Sequence, residues 1–362
     1  MKQNYRSSLT LKDIAAATGY SVNTISRALR GKDDIANSTI SKIKKTTAEM
    51  GYIRNAAASS LRSGRTNTIA VILGDVSNPL FAIIMKEIEN RAREDGYSSF
   101  LFNTNEDPLM EKEAIRTALN KNVDGIIICP TQHNDSNIRY LMKTCVPFVQ
   151  LGRGFDHLNA PYVVRNEELG GYQAVKHLLD NGHRDILMLN GPSYISVARE
   201  RIAGYKRAYT EAGLKVKPRL IREVSIIGGN CAPLIEKLLT EKVHFTAIFA
   251  FSDLLAWDAW SYLHRQGFRV PEDFSLIGFD NVQIKLEIPY RLSTVDSYTP
   301  KVSTIAVECL LSIIRGEKQK HDTCSDICHQ IIDTTLIAGE TVMRVNNHIT
   351  TARFKAKEKQ KT

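Results

Sequence analysis

Apolar residues at helical spacing predict a small helical module at the start of the chain. In residues 10–29, small apolar side chains recur every three or four positions on both sides of Gly19, which predicts two short helices joined by a tight turn. Thr10 and Ser21 stand where the N-caps of these helices are expected. A third helix is predicted over 37–50, and its apolar residues can complete a three-helix core.

From Thr68 onward, short apolar runs alternate with longer segments of helical periodicity. Strands are predicted at 69–73, 100–102, 125–129, 147–151, 185–190, 220–224, 246–251, 274–279 and 292–295. Helices are predicted at 79–96, from 108 onward, and at 170–181, 197–212, 232–241, 253–266 and 300–315, with short strands near 329–338. Two such βαβ series predict two lobes, each with a parallel sheet covered by helices on both faces. Ligands bind beyond the carboxyl ends of such strands, so facing lobes would form a closing cleft.

The second helix of the module presents a polar face suited to DNA. Asn23, Arg27 and Arg30 are spaced i, i+4 and i+7, with Val22 and Ser26 beside them and no acid on that face. Asn and Arg can read the major-groove edges of adenine and guanine with two hydrogen bonds each. The alternative is an ordinary helical hairpin with a solvated polar face, because this pattern also occurs by chance.

The charge distribution favours nucleic-acid binding by one end of the chain. The 362 residues carry a formal net charge of +9. Residues 1–65 contain 12 Lys or Arg and 4 Asp or Glu, and residues 351–362 contain 5 and 1, so the middle is slightly acidic. A basic N-terminal segment followed by a slightly acidic middle is typical of a DNA-binding module attached to a larger domain.

The segment that follows the module is rich in alanine and basic residues. It is too short to form a stable helix alone, and Leu61 is its one large apolar side chain. A helix that forms only when docked, at about 55–63, could insert Leu61 into the minor groove. A flexible interdomain linker is the alternative.

Other classes of protein are not supported by the sequence. We expect a cytoplasmic protein with reduced thiols, since there is no signal peptide, no apolar run long enough for a membrane span, and only scattered cysteines. Cys324 and Cys328, with His321 and His329, match no established zinc pattern, so no metal or cofactor is expected. The chain contains no GxSxG, no P-loop and no GxGxxG after its first strand, so no enzymatic activity is expected.

Polar and aromatic residues cluster at the predicted strand ends. They are Asn78, Phe81, Thr131, Arg153, Asn166, Arg199, Arg201, Ser252, Asp253 and Asp280. Mixed donors, acceptors and aromatic rings suit a small polyhydroxylated ligand. Any one of these residues alone is best explained as an ordinary surface residue. Their common position at strand ends favours a shared ligand site.

Several motifs in fixed order carry a resemblance to a known family. They include TLKDIAAATGYSVNTISRAL, MGYIRN, DVSNPLF, VDGIII, GGYQAVKHLLDNGHRDI and SLIGFDN. Over nearly its whole length the chain resembles the LacI/GalR family of bacterial transcriptional regulators. The resemblance implies a homodimer or higher oligomer that binds double-stranded, pseudo-palindromic operator DNA, with a small-molecule effector, a sugar or sugar derivative, closing the lobes.

The resemblance also implies roles for individual residues. Val22, Asn23 and Arg27 would read bases, Leu61 would wedge into the minor groove, and Ala58 would pack on the partner's hinge helix. The full DNA-contacting set is Thr10, Ser21, Val22, Asn23, Thr24, Ser26, Arg27, Asn55, Ala58 and Leu61. The effector-contacting set is Asn78, Phe81, Thr131, Arg153, Asn166, Arg201, Phe249, Ser252 and Asp280.

Four residues depart from the family pattern: Arg54 replaces a proline, Ser252 an asparagine and Gly339 an arginine, and Arg165 adds a charge. Together with the arginines at 153, 199 and 201, Arg165 favours an acidic or phosphorylated sugar as effector.

The predicted organisation has three parts. Residues 1–65 form a helix-turn-helix DNA-binding domain with the hinge helix, 66–345 form an α/β core of two lobes like that of periplasmic binding proteins, and 346–362 form a basic, disordered tail. The predicted function is repression of sugar or sugar-acid catabolism genes. A solute-binding protein with the same core and no regulatory role is the alternative.

Overall fold

The computed structural model describes residues 9–29, 34–52, 64–228, 230–283, 290–316 and 328–345. These residues belong to two compact units, Met1–Thr66 and Asn67–Thr362. The predictions for the hinge helix, including Asn55, Ala58 and Leu61, and for the tail at 346–362 lie outside the described residues, as do those for Arg30, Arg54 and Cys324.

The first unit contains the three predicted helices. They are α1 Leu11–Thr18, α2 Val22–Ala28 and α3 Asn37–Glu49. Ile14, Ile25, Ala28 and Ile43 are fully buried where the helices meet. The partly buried side chains of Leu11, Leu29, Ile40 and Met50 pack around these four, so the helices share one small core.

Local capping sets the turn between α1 and α2. The Thr10 backbone N–H donates to Asp13 Oδ2 at 2.7 Å, and Gly19 takes the left-handed conformation at φ 75° that ends α1. Ser21 Oγ then accepts from the Thr24 backbone N–H at 3.1 Å and begins α2. The helix-turn-helix therefore follows from residues adjacent in sequence, as predicted.

The second unit consists of alternating strands and helices, numbered onward from the first unit. Its strands are β1 Thr68–Leu73, β2 Ser98–Asn103, β3 Gly125–Ile128, β4 Phe148–Leu151, β5 Tyr162–Arg165, β6 Ile186–Asn190, β7 Ile221–Glu223, β8 Ala247–Ala250, β9 Ser275–Phe279, β10 Ser293–Asp296, β11 His329–Ile332 and β12 Thr335–Ile337. Its helices are α4 Pro79–Glu94, α5 Pro108–Asn120, α6 Ser136–Met142, α7 Glu167–Asp180, α8 Ser196–Glu211, α9 Ala232–Thr240, α10 Asp253–Arg265 and α11 Thr299–Arg315.

The strands form two six-stranded sheets, one in each lobe. The first has the order β11-β5-β4-β3-β1-β2 and the second β12-β10-β9-β8-β6-β7. All pairings are parallel except that of β10 with β12. The chain passes between the lobes after β5, after β10 and after β11. The predicted fold class, a helix-turn-helix module with a two-lobed α/β core, is confirmed.

Helices cover both faces of each sheet, so the central strands read as uninterrupted apolar runs. On one face of the first sheet, α4 and α11 bury residues such as Ile84 and Leu310 against β1. On the other face, α5 and α6 bury Ile115 and Leu141. The edge strand β2 differs, because Phe100 and Leu101 on it remain exposed.

Two glycines allow α7 and α8 to approach closely. A Cβ on Gly204 would lie 2.1 Å from the Glu168 carbonyl oxygen, and one on Gly171 would lie 2.6 Å from the Arg201 carbonyl oxygen. Both distances are shorter than real Cβ contacts, so only glycine fits there. This contact brings the start of α7 against Arg201, which matters for the cavity described below.

Two expectations about the second unit need correction. Helix α7 begins at Glu167, three residues before the predicted start, because the Asn166 side chain accepts from the Leu169 backbone N–H at 3.0 Å and caps it. Cys309 and Cys328 are joined by a disulfide, so the expectation of reduced thiols is wrong for this pair. Among the helices described, none combines the length and apolar character needed to cross a bilayer.

Candidate functional site

The predicted base-reading residues lie on the open side of α2. Val22 and Asn23 are exposed, while Ile25 and Ala28 face the core, so the helix is divided as the spacing predicts. Ser21 and Thr24 stand at its first turn, with Oγ and Oγ1 joined by a 2.8 Å hydrogen bond. An exposed helix N-terminus with hydroxyls and an amide is suited to contact phosphates and base edges.

Arg27 has an acidic neighbour that the sequence did not indicate. Its guanidinium pairs with Asp34, and the two side chains are 43% and 48% exposed. The expectation of a face free of acids therefore holds for α2 itself but not for its surroundings. An ion pair this exposed contributes little free energy, so a DNA phosphate or guanine edge can displace Asp34.

The third helix adds positive charge to the unit. Lys42, Lys44 and Lys45 are exposed on α3, as predicted. The Lys42 ammonium lies 5.5 Å from the centre of the Tyr20 ring. Such lysines can meet phosphates without sequence preference.

In the second unit, a cavity lies between the carboxyl ends of the strands of both lobes. The space inside it amounts to about 70 Å³, and it is partly open to solvent. Its polar lining residues are Asp75, Asn78, Glu106, Arg153, Arg165, Arg201, Ser225, Ser252 and Asp280. Its apolar lining residues include Leu80, Phe81, Ile84, Leu151, Val197, Ile226, Phe251, Leu254 and Leu255. A pocket with this mixed lining suits a small organic ligand.

Six predicted effector-contacting residues line this cavity. They are Asn78, Phe81, Arg153, Arg201, Ser252 and Asp280. Asn78 and Ser252 also cap α4 and α10, through acceptance from the Leu80 and Leu255 backbone N–H groups at 3.0 and 3.2 Å. Asn78 and Ser252 each follow the carboxyl end of a strand, which is why the strand pattern of the sequence places them beside the cleft.

The other three predicted effector-contacting residues, Thr131, Asn166 and Phe249, do not line the cavity. Thr131 is buried, and its backbone N–H donates to Glu111 Oε2 at 2.8 Å. The Asn166 amide is occupied by its capping bond and by donation to Asp333 Oδ1 at 2.9 Å. Phe249 lies inside β8 and is fully buried in the core of the second lobe, whereas Phe251, just beyond the strand end, faces the cavity.

The arginines of the cavity are paired with buried carboxylates. Arg153 NH1 and NH2 donate to Glu106 at 2.6 and 3.0 Å. Arg165 Nε donates to Glu167 Oε1 at 2.9 Å. Arg199, expected near the cleft, is exposed and donates to backbone carbonyls instead. The cavity therefore lacks the surplus positive charge on which the expectation of an acidic effector rested.

Asp280 lies at the end of β9 in an unusual backbone conformation. Its φ is 100°, and that of Asn281 is 51°. The Asp280 backbone N–H donates to the Val295 carbonyl at 2.9 Å. Burial raises the pKa of Asp280, an effect that the neighbouring Arg201 and Arg165 charges oppose.

The bend after Asp280 is held by Asp253, the first residue of α10. Asp253 Oδ2 accepts from the Val282 backbone N–H at 2.9 Å, and Oδ1 accepts from Thr294 Oγ1 at 2.5 Å. The same Thr294 Oγ1 accepts from the Asn281 backbone N–H at 3.3 Å. Asp253 is fully buried, and burial raises its pKa to about 8.

The lobes touch each other beside the cavity. Gln132 of the first lobe accepts from the Ser196 backbone N–H at 2.8 Å through Oε1 and donates to the Gly154 carbonyl at 2.7 Å through Nε2. The rings of His133 and Tyr194 stack with their centres 4.1 Å apart. These contacts join the two walls on one side of the cavity.

Several lining residues were not predicted, among them Asp75, Glu106, Ser225 and Phe251. Glu106 and Ser225 follow β2 and β7, whose ends were predicted to within one residue, so the strand-end rule would have found both had it been applied to these two strands. Phe249 was expected from the family resemblance alone, whereas Phe251, which directly follows the last paired residue of β8, lies at the strand end.

Two family models match the chain. Residues 10–55 match the model described as bacterial regulatory proteins, lacI family. Residues 66–324 match the model described as periplasmic binding proteins and sugar binding domain of LacI family.

Curated relatives extend over most of the chain. The HTH-type transcriptional repressor PurR of Aliivibrio fischeri strain MJ11 is 32% identical over 311 residues, which are 85% of this chain and 92% of the relative. The ribose operon repressor of Haemophilus influenzae is 30% identical over 334 residues, which are 92% of this chain and 98% of the relative.

Solved structures share the fold. The lac repressor dimer bound to operator and the anti-inducer ONPF has a TM-score of 0.80 at 24% identity, covering 92% of this chain and 99% of that one. The transcriptional regulator CelR in complex with cellobiose has a TM-score of 0.68 at 25% identity, with the same coverage.

Proposed function

The chain belongs to the LacI family of bacterial regulatory proteins, and we propose that this DNA-binding transcriptional repressor recognises a pseudo-palindromic operator as a homodimer under the control of a neutral polyhydroxylated effector. In this proposal residues 1–65 bind DNA through the helix-turn-helix and a hinge helix at about 55–63, and residues 66–345 bind the effector. The exposed polar face of α2 supports the DNA-binding part of this proposal. The pairing of the cavity arginines with carboxylates supports the neutral effector.

On DNA, Asn23, Arg27 and Val22 contact base edges from the exposed side of α2. Ser21, Thr24, Ser26 and Thr10 contact phosphates, and Asn55, Ala58 and Leu61 act at the operator centre. Base contacts give sequence preference and phosphate contacts give register. Arg27 leaves Asp34 when it engages a guanine.

The cavity favours a neutral effector with several hydroxyl groups. Each of the arginines 153, 165 and 201 already has a carboxylate partner, so an anionic ligand would meet no unpaired cation. Asp280 Oδ1 can accept a hydrogen bond from a ligand hydroxyl, and Phe81 and Phe251 supply apolar walls. The names of the relatives point to purine and ribose systems, and a ribose-like ligand has the hydroxyls that Asp280 needs.

The exposed edge of the first lobe supports a homodimer. Phe100 and Leu101 on β2, with Leu109 and Met110 on α5, form an apolar surface, and Leu109 is 76% exposed. An unpaired strand edge beside exposed large apolar residues is typical of an interface. A family match over residues 10–55 speaks against a solute-binding protein without a regulatory role.

Selection of DNA by the full-length chain tests the operator part. Bound duplexes are recovered from a random library and sequenced, with Arg27→Ala as the variant and Lys45→Ala as the control for a phosphate contact. We expect two half-sites related by a two-fold axis, with altered preference for Arg27→Ala only. Enrichment of a single half-site contradicts the dimer, and no enrichment contradicts the function.

Melting of the full-length chain with D-ribose, D-galactose, hypoxanthine and D-gluconate tests the effector part. A neutral sugar is expected to raise the melting temperature of the wild type and not of Asp280→Asn. A rise with D-gluconate alone contradicts the neutral effector.

A further inference from the structure

Glu167 lies behind the wall of the effector cavity, where it contacts two of the lining arginines, Arg165 and Arg201. It is the first residue of α7, separated by one residue from Arg165 at the end of β5, so it stands where the chain passes from the first lobe to the second. Its side chain is 2% exposed, and both of its oxygens accept hydrogen bonds. Oε1 accepts from Arg165 Nε at 2.9 Å, and Oε2 accepts from Arg201 Nε at 2.8 Å.

Arg201 is held on every side of its guanidinium. Its NH2 lies 2.7 Å from Glu167 Oε2, and its NH1 donates to the Phe251 carbonyl oxygen. The guanidinium carbon lies 3.5 Å from the centre of the Phe279 ring and 4.5 Å from that of Phe251. Two aromatic faces and one carboxylate therefore determine where this cation lies.

This arrangement keeps Arg201 from bonding to Asp280. The distance from Arg201 NH2 to Asp280 Oδ1 is 3.7 Å, which is too long for a hydrogen bond. Among the described residues, none makes a hydrogen bond to Asp280 Oδ1, although that atom is buried and its residue lines the cavity. A buried carboxylate oxygen without a donor is costly, and a ligand hydroxyl would satisfy it.

We propose that Glu167 is a positioning residue that holds Arg201 away from Asp280 and so leaves Asp280 Oδ1 available to the effector. This inference rests on the proposed effector site. Two carboxylates compete for one guanidinium, and Glu167 prevails because Arg165 supports it from the other side and because the close packing at Gly171 presses α7 against Arg201.

The variant that tests this is Glu167→Gln, which keeps the shape and removes the charge. Asp280 is then the remaining carboxylate within 4 Å of Arg201 among the described residues, so the guanidinium is expected to move toward it. Crystal structures of the ligand-free full-length wild type and variant give the NH2 to Oδ1 distance directly. We expect it to fall to about 3 Å in the variant, the length of a charge-assisted hydrogen bond. An unchanged distance overturns the proposal.

Binding measured by calorimetry gives a second readout, with D-ribose as the probe. Glu167→Gln is expected to weaken D-ribose binding about tenfold or more, because the effector must displace Arg201 from Asp280. Glu168→Gln, the exposed neighbour, is the matched control and should bind as the wild type does.

A folding defect is separated from the proposed role by a charge-balanced variant. Arg165→Gln with Glu167→Gln removes one buried charge of each sign and is expected to give the same short distance from Arg201 to Asp280. If D-ribose does not bind the wild type, the effector proposal is contradicted. The distance from Arg201 NH2 to Asp280 Oδ1, compared between the wild type and Glu167→Gln, still decides the role of Glu167.

Discussion

Replacement of Thr294 by valine tests the support under the effector-binding carboxylate. The Thr294 side chain is fully buried on β10, and its hydroxyl connects Asp253 to the backbone of Asn281. Valine preserves the shape but removes the hydroxyl. One buried carboxylate oxygen then loses its donor, and one buried N–H group loses its acceptor.

The cost follows from those two groups. The calorimetry is carried out at pH 9, where Asp253, with a pKa of about 8, is ionised. A hydrogen bond to this charged group contributes about 1.5–3 kcal/mol, and an unsatisfied buried amide adds about 1 kcal/mol or more. The free energy of unfolding of the second unit should therefore fall by roughly 2–4 kcal/mol for Thr294→Val. For a body of a few hundred residues this corresponds to a melting temperature lower by roughly 4–12 °C.

Calorimetry of the full-length wild type, Thr294→Val and Thr294→Ser separates the hydroxyl from the methyl group. Serine keeps the hydroxyl and loses one methyl, which costs roughly 0.5–1.5 kcal/mol. The valine variant should melt below the serine variant. The reasoning is refuted if Thr294→Val melts at or above Thr294→Ser, since the hydroxyl would then contribute nothing.

Three further outcomes are expected. Arg27→Ala should reduce the free energy of operator binding by about 1–3 kcal/mol in mobility-shift titrations, and an equal loss on random DNA would contradict base reading. Burial lowers the pKa of His183 to about 4, so the unfolded chain gains its proton first as the pH falls. Stability should drop between pH 6.5 and 4 by roughly 3 kcal/mol in urea titrations, and His183→Gln should remove that part of the slope, whereas an unchanged slope would exclude His183 as its source. Gly204→Ala places a Cβ 2.1 Å from the Glu168 carbonyl oxygen, so it should lower the calorimetric melting temperature despite the better helix propensity of alanine, and a rise would contradict the close helix contact.

The order of strands and helices could be predicted because each buried strand is a continuous apolar run, as at 69–73 and 125–129. The cavity could be predicted in part for the same reason, since residues such as Asn78 and Asp280 directly follow such runs. Where a run ends was less certain, because the last paired residue of β8 is decided by its neighbours in the sheet and not by its own side chains. Phe249 was expected from the family resemblance alone, and the strand-end rule would have indicated Phe251 only with the end of β8 placed at Ala250.

Charge pairing could not be predicted from the sequence. The arginines at 153, 165 and 201 suggested an anionic ligand because their partners, Glu106 and Glu167, meet them only in the folded chain. Asp34 and Arg27 illustrate the same limit in the first unit. The disulfide is another such case, since no spacing rule selects Cys309 as the partner of Cys328.

The first lobe is assembled from distant parts of the chain, and this has a consequence for synthesis. Its apolar core includes Val302 and Leu310 of α11, and its sheet is completed by β11, yet all of the second lobe except its last segment, with β12, lies between β5 and these elements. On the ribosome, the earlier strands must therefore wait with part of their apolar surface uncovered until more than 300 residues have emerged. Products of early termination would lack that cover, so chaperone binding and proteolysis should fall most heavily on nascent chains that end before α11.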